Sequence, residues 1–223
     1  MAARKKLEAR RGAGRPPKSE GRDTQQAILD AALDVFSAKG FYHASLRDIA
    51  AAAGIRDSAI YHYFSSKEAL FAAIVKKRAE TTEHESWRAH FERPSDDVRA
   101  YLEALSGASI ERVLSARMQK RFRILMSDGP RLQAEGKLDV LDNVAPLEPI
   151  AKIMRRLIKE KHLRAANADL LAIEFAAPFL TLLMIRMFQP KHPLLKDTRR
   201  FGRAHVDHFL RANGEVVARK IAR

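Results

Sequence analysis

The chain has no cysteine among its 223 residues, which excludes disulfides, thiolate metal sites and cysteine nucleophiles and fits a reducing compartment. Acids are scarce relative to bases: 27 Asp and Glu against 41 Lys and Arg leave a net charge of +14. Such an excess points to a polyanionic partner, nucleic acid ahead of a membrane surface. The basic N-terminus (Arg4, Lys5, Lys6, Leu7, Glu8) never enters the apolar stretch of a signal peptide, so a cytoplasmic chain is expected. The longest apolar run, 170–188, is interrupted by Glu174, Pro178, Thr181 and Arg186, and it reads as a buried helix with no membrane partner. Signatures of catalysis are missing too: there is no HExxH, EF-hand loop, glycine-rich phosphate loop or nucleophile elbow. Neither an enzyme nor a bound metal or cofactor is expected. His205 and His208, three apart on one expected helix, read as solvated or interface histidines ahead of a metal pair. Strand alternation and internal repeats are also lacking.

What remains is helical. Residues 1–22 contain eight bases (Arg4, Lys5, Lys6, Arg10, Arg11, Arg15, Lys18, Arg22), two acids and almost nothing apolar, the composition of a disordered basic arm. From Asp23, which can cap, an apolar face forms through Ile28, Ala32, Val35 and Phe36 and ends at Gly40. A second helix starts at Ser45 with Asp48 at its third position and stops at Gly54. A third covers about 57–64, and Ser65 with Glu68 forms a capping box for a long fourth helix that runs to Pro94. Leu70, Phe71, Ile74 and Val75 share one face of it, while Trp87 and Phe91 lie about half a turn round. Further helices are expected near 96–114, 116–127, 147–162, 168–188 and 197–212, separated by Gly129–Pro130, Pro146, Pro149, Pro190 and Pro193.

Counting from Leu46, Ala50, Gly54 and Ile60 supply the small, turning and apolar positions of a helix-turn-helix. A small residue admits a close helix approach, glycine takes the left-handed turn, and the apolar residue fills the angle between helices. The surrounding stretch, SLRDIAAAAGIRDSAIYHYFSSKEALF over 45–71, resembles the TetR family of bacterial repressors. The likeness spans about 50 residues, 24–74, through Ala53-Gly54-Ile55, Tyr61-His62-Tyr63-Phe64 and Ser66-Lys67-Glu68.

That resemblance implies an all-α fold: an N-terminal three-helix helix-turn-helix DNA-binding domain (23–70), joined by a long helix to a C-terminal helical ligand-binding and dimerisation domain (71–223). It places Ser45 and Lys67 at helix N-termini that hold DNA phosphates, Tyr61 and His62 on the DNA-facing side, and Tyr63 and Phe64 in packing positions. Arg56, Asp57, Ser58 and Ala59 stand where the family commonly has a Ser-Lys-Gly-Thr-like run, so base preference does not carry over. Arg56 is either a guanine reader or a phosphate or solvent contact. Asp57 either accepts from cytosine or complements the helix dipole, Arg47 is a phosphate contact or a surface charge, and Ser58 joins them as a DNA-facing candidate. Residues 23–70 hold four bases and six acids, so non-specific attraction must come from the arm and the body. Gly14-Arg15-Pro16-Pro17 resembles the centre of an AT-hook, which lays an arginine in a narrow minor groove; the alternative for Arg15 is general phosphate attraction.

The expected function is a ligand-responsive repressor that binds a palindromic operator as a homodimer and is released by a small, partly apolar effector. The alternative is a constitutive architectural DNA binder. Trp87, Phe91, Phe122, Met126, Phe175 and Phe179 are the candidate effector-lining residues. The resemblance assigns the last two helices to the dimer interface. Arg117, Lys120, Arg121 and Arg123 read as a solvated basic face opposite Met118, Phe122, Leu125 and Met126, with counter-charges for an acidic effector or added field toward DNA as the alternatives.

Overall fold

A computed structural model describes residues 18–76, 97–137 and 147–215. Its elements are α1 (Lys18–Lys39), α2 (Leu46–Ala53), α3 (Asp57–Ile60), α4 (Lys67–Lys76), α5 (Val98–Leu114), α6 (Ala116–Ala134), α7 (Glu148–Lys159), α8 (Ala168–Phe188), a 3-10 turn (Pro193–Leu195) and α9 (Thr198–Asn213). The described residues contain no strand. The chain divides after Leu70 into two compact units.

In the first unit, α1 buries Ile28, Leu29, Ala32, Leu33 and Phe36 against Phe41, Ala44, Ile49, Ala50, Ile60 and Phe64. The helix begins at Lys18 rather than at the cap expected at Asp23, so it takes in the end of the segment read as a disordered arm. No proline lies between Lys18 and Lys39, and nothing obliges the helix to wait for a cap. The start of α4 also moves: Ser66 Oγ, not that of Ser65, accepts the Ala69 N–H at 3.0 Å, and the helix opens at Lys67. The expected run of this helix to Pro94 extends beyond the described residues.

In the second unit, α5, α7, α8 and α9 enclose a core of Leu102, Leu105, Met154, Leu157, Phe175, Phe179, Leu182, Val206 and Phe209. Helix α9 approaches α5 closely at Gly202, where a Cβ would stand 2.8 Å from Ser106 Oγ and 3.0 Å from Ile110 Cδ1. Phe175 packs edge-on against Phe179 and Phe209, with ring centroids 5.6 and 5.2 Å away. His205 reaches from α9 to bond the Phe175 carbonyl through Nε2 at 3.0 Å, which requires that nitrogen to carry the proton. Burial lowers the pKa of this histidine, a shift reinforced by His208 and opposed by the carbonyl bond and Glu174.

Three expectations fail here. Helix α6 runs through Gly129 and Pro130 to Ala134, because the missing proline donor spares only the Met126 carbonyl, on a side where both residues are exposed to water. The basic face of α6 is not uniformly solvated: half-buried Arg121 donates to the Val75 carbonyl at 2.5 Å. Burial beside Arg112 and Arg117 lowers its pKa to about 10. Finally, α8 is not buried all round. Among the described residues it is the one helix with the length and apolarity of a membrane span. Its inner face enters the core, while Leu170, Ile173, Leu180, Met184 and Phe188 form an exposed stripe.

Candidate DNA-reading surface

The surface is organised by two local devices. Ser45 caps α2 by accepting the Asp48 N–H at 3.1 Å, and Asp48 Oδ2 accepts the Ser45 N–H at 3.0 Å, closing a capping box. Lys39 Nζ joins at 2.9 Å from Asp48 Oδ1, tying the end of α1 to the start of α2. The bonds from Lys39 and Ser45 hold the Asp48 carboxyl at about 2. At the other end Gly54 takes φ 68° and donates toward the carbonyls of Ala50 and Ala51. A Cβ-bearing residue is strained in that left-handed conformation, and the turn it makes releases the chain into α3.

Helix α3 spans four residues, and the chain continues through turns at 61–63, so it is shorter than the helix expected over 57–64. Bonds from Tyr63 N and Phe64 N to the Ile60 carbonyl, each 2.9 Å, keep the helical sense through the turn. Ile60 is fully buried and Phe64 nearly so, leaving the opposite arc to Asp57, Ser58, Tyr61 and His62, all exposed. Tyr61 is 60% exposed, far more than an aromatic with a packing role would be. Arg47 on α2 and Arg56 before α3 are exposed as well.

The expected residues Ser45, Arg47, Arg56, Asp57, Ser58, Tyr61 and His62 thus all lie on the surface of the first unit. Lys67 stands at the opening of α4, as expected. Its ammonium donates to the carbonyls of Phe41 at 2.9 Å and Ala44 at 3.0 Å, and stands 4.5 Å from the centroid of the Phe41 ring. The ammonium is therefore engaged inside the protein, pinning the start of α4 to the loop that precedes α2. Partners 26 and 23 residues away leave no mark in local spacing, so sequence reasoning missed this role. Arg15 lies outside the described residues.

Four of the six effector candidates fall within the described residues. Phe175 and Phe179 are core residues facing α9, Phe122 packs half-buried against the core, and Met126 is 55% exposed. Trp87 and Phe91 lie outside the described residues. Among the described residues no group of three or more His, Asp or Glu could hold a metal.

Residues 28–74 match the family model for bacterial regulatory proteins of the tetR family. The HTH-type transcriptional regulator UidR of Escherichia coli (strain K12) is 35% identical over 80 residues, 36% of this chain and 38% of the relative. The chain thus matches well under half the length of such curated relatives. Among solved structures, the flavonoid-responsive regulator FrrA is similar at a TM-score of 0.65 and 20% identity, covering 87% of this chain and 98% of the other. A complex of SmeT with triclosan follows at a TM-score of 0.63 and 24% identity, covering 87% and 93%. At those identities the likeness is one of fold.

Proposed function

We propose that this chain, whose residues 28–74 match the tetR family model, is a cytoplasmic transcriptional repressor of that family that binds a palindromic operator as a homodimer and leaves it when a small, partly apolar effector binds. The observation that carries this reading is the exposed arc of Asp57, Ser58, Tyr61 and His62, presented by a short helix behind a left-handed glycine turn. A helix offered this way enters a major groove and reads only a few base pairs, so two copies about 34 Å apart are needed for a useful address.

The second copy has a surface to occupy. The stripe of Leu170, Ile173, Leu180, Met184 and Phe188 is exposed along one side of α8, the kind of apolar face that a partner covers. A shallow groove beside it, lined by Ala177, Pro178, Leu194 and Phe201, extends the patch. Paired about a two-fold axis, the stripe covers itself. The effector acts by population shift, through unequal affinity for the DNA-competent and released states; the triclosan complex of a similarly folded protein supports a partly apolar ligand.

A mobility shift with DNA from upstream of the protein's own gene tests the reading. Retention of one duplex over its scrambled counterpart is expected, with loss on Tyr61→Ala in a protein that stays folded and dimeric. Equal retention of both duplexes by the wild-type protein would overturn it. Sedimentation tests the assembly: the wild type should be a dimer at micromolar concentration and Leu180→Asp a monomer, and a monomeric wild type would refute the interface.

A further inference from the structure

The arc that α3 presents holds an acid and no lysine or arginine. Asp57 and Tyr61 stand one turn apart on it, as do Ser58 and His62, with Ile60 and Phe64 buried on the opposite side. Among the described residues none of the four forms an ion pair, and the one side-chain bond found for them there is local: Asp57 Oδ1 accepts the Ser58 N–H at 2.9 Å. Asp57 itself is exposed. Arg56 precedes the helix with extended backbone and gives it no side-chain cap.

A carboxylate on a surface that meets DNA is repelled by phosphates and by every acceptor on a base edge. It is tolerated only opposite a donor, because an ionised carboxylate can accept and cannot donate. In the major groove guanine offers acceptors at N7 and O6, thymine an acceptor and a methyl group, and adenine an amino group beside the N7 acceptor. Cytosine offers its N4 amino group without an adjoining acceptor on the same base. We infer that Asp57 is a specificity-determining residue that accepts a hydrogen bond from the N4 amino group of a cytosine at one position of each half-site. The inference rests on the DNA-reading function proposed above. It also gives the negative charge of residues 23–70, with six acids against four bases, a use: the acid penalises wrong sequences, while attraction to DNA in general comes from elsewhere in the chain.

The test is selection from a pool of randomised duplexes with the full-length wild type, Asp57→Asn and Asp57→Ala, the retained DNA being sequenced and helix content checked by circular dichroism. Asp57→Asn keeps an oxygen for the Ser58 N–H, so it stays informative if Asp57→Ala unfolds α3. The wild type should retain a motif with one cytosine-restricted position per half-site. Asp57→Asn should turn that position toward adenine, whose N6 and N7 match a carboxamide bidentately. Asp57→Ala should lower the cytosine preference there by roughly 5- to 150-fold, the range a good base contact provides, and leave other positions alone. If both variants retain the wild-type motif at every position, Asp57 is a backbone cap only and the inference fails while DNA reading stands. If the wild type retains no motif, DNA reading itself fails and takes the inference with it.

Discussion

Replacing Lys67 by methionine separates two roles that the same ammonium group could have. Methionine keeps most of the unbranched stem and its apolar packing and removes the charge, the two bonds to the Phe41 and Ala44 carbonyls, and the contact with the Phe41 ring. A hydrogen bond involving a charged group contributes about 1.5–3 kcal/mol when buried, and a half-exposed ammonium falls at or below the lower end. A cation over an aromatic face adds about 0.5–1 kcal/mol at exposed sites. Together these give a loss of roughly 2–4 kcal/mol, which for a chain of this size lowers Tm by roughly 5–15 °C. The DNA readout is different. A lysine that neutralises a phosphate contributes about 0.9 to the slope of log affinity against log salt, so a dimer losing two such contacts would show a slope shallower by about 1.8. Thermal melting by circular dichroism and operator binding across a salt series, both for wild type and Lys67→Met, decide between them. The expected result is a large fall in Tm with an unchanged salt slope, measured well below the lower melting temperature. An unchanged Tm with a slope shallower by nearly two would refute the pin and return Lys67 to the phosphate backbone.

Three further outcomes are expected. Burial lowers the pKa of His205, so the folded chain holds fewer protons than the unfolded one as pH falls through the ordinary histidine value of about 6.5. This contribution is complete above that value and lost below it; urea unfolding at pH 8 and pH 5 should show a smaller acid-induced loss in His205→Gln, and an identical loss in both proteins would sink the idea. Gly202→Leu should destabilise the second unit by about 1–3 kcal/mol through overpacking, because even a Cβ there meets Ser106 Oγ at 2.8 Å; an unmoved urea midpoint would contradict the close approach of α9 to α5. Deleting residues 1–17, which spares the first turn of α1, should make the salt slope shallower by roughly 2–4 per arm while sequence discrimination survives; equal slopes would place the electrostatic field in the C-terminal body.

The legible parts of the chain were those governed by short-range chemistry. Ser45, Asp48 and Gly54 announce α2 because a cap, its reciprocal acid and a left-handed stop act within one or two turns. The exposed arc of α3 was legible because Ile60 and Phe64 are apolar at the spacing that turns Asp57, Ser58, Tyr61 and His62 outward. Lys67 was not, since its partners lie more than 20 residues away and a helix N-terminus gave a simpler explanation. Pro130 misled for the opposite reason: a proline costs a helix one donor, and an exposed carbonyl can take that loss. The outer stripe of α8 looked like core because hydrophobic periodicity reports that a face wants covering and is silent on whether the cover belongs to the same chain.

The separation between what holds the first unit together and what it presents has a bearing on descent. Ile49, Ala50, Ile60 and Phe64 carry the packing, whereas Ser58, Tyr61 and His62 have no hydrogen bond or ion pair from their side chains within the described residues, and Asp57 has only the one to its neighbour's N–H. Substitutions on that arc cost little stability, since exposed positions away from caps and cores usually change it by less than about 0.5 kcal/mol. After a gene duplication, one copy can drift to a new DNA address by exchanging these side chains singly, each intermediate still folded. The left-handed turn at Gly54 allows no such drift, and lineages that diverge in what they recognise should keep it.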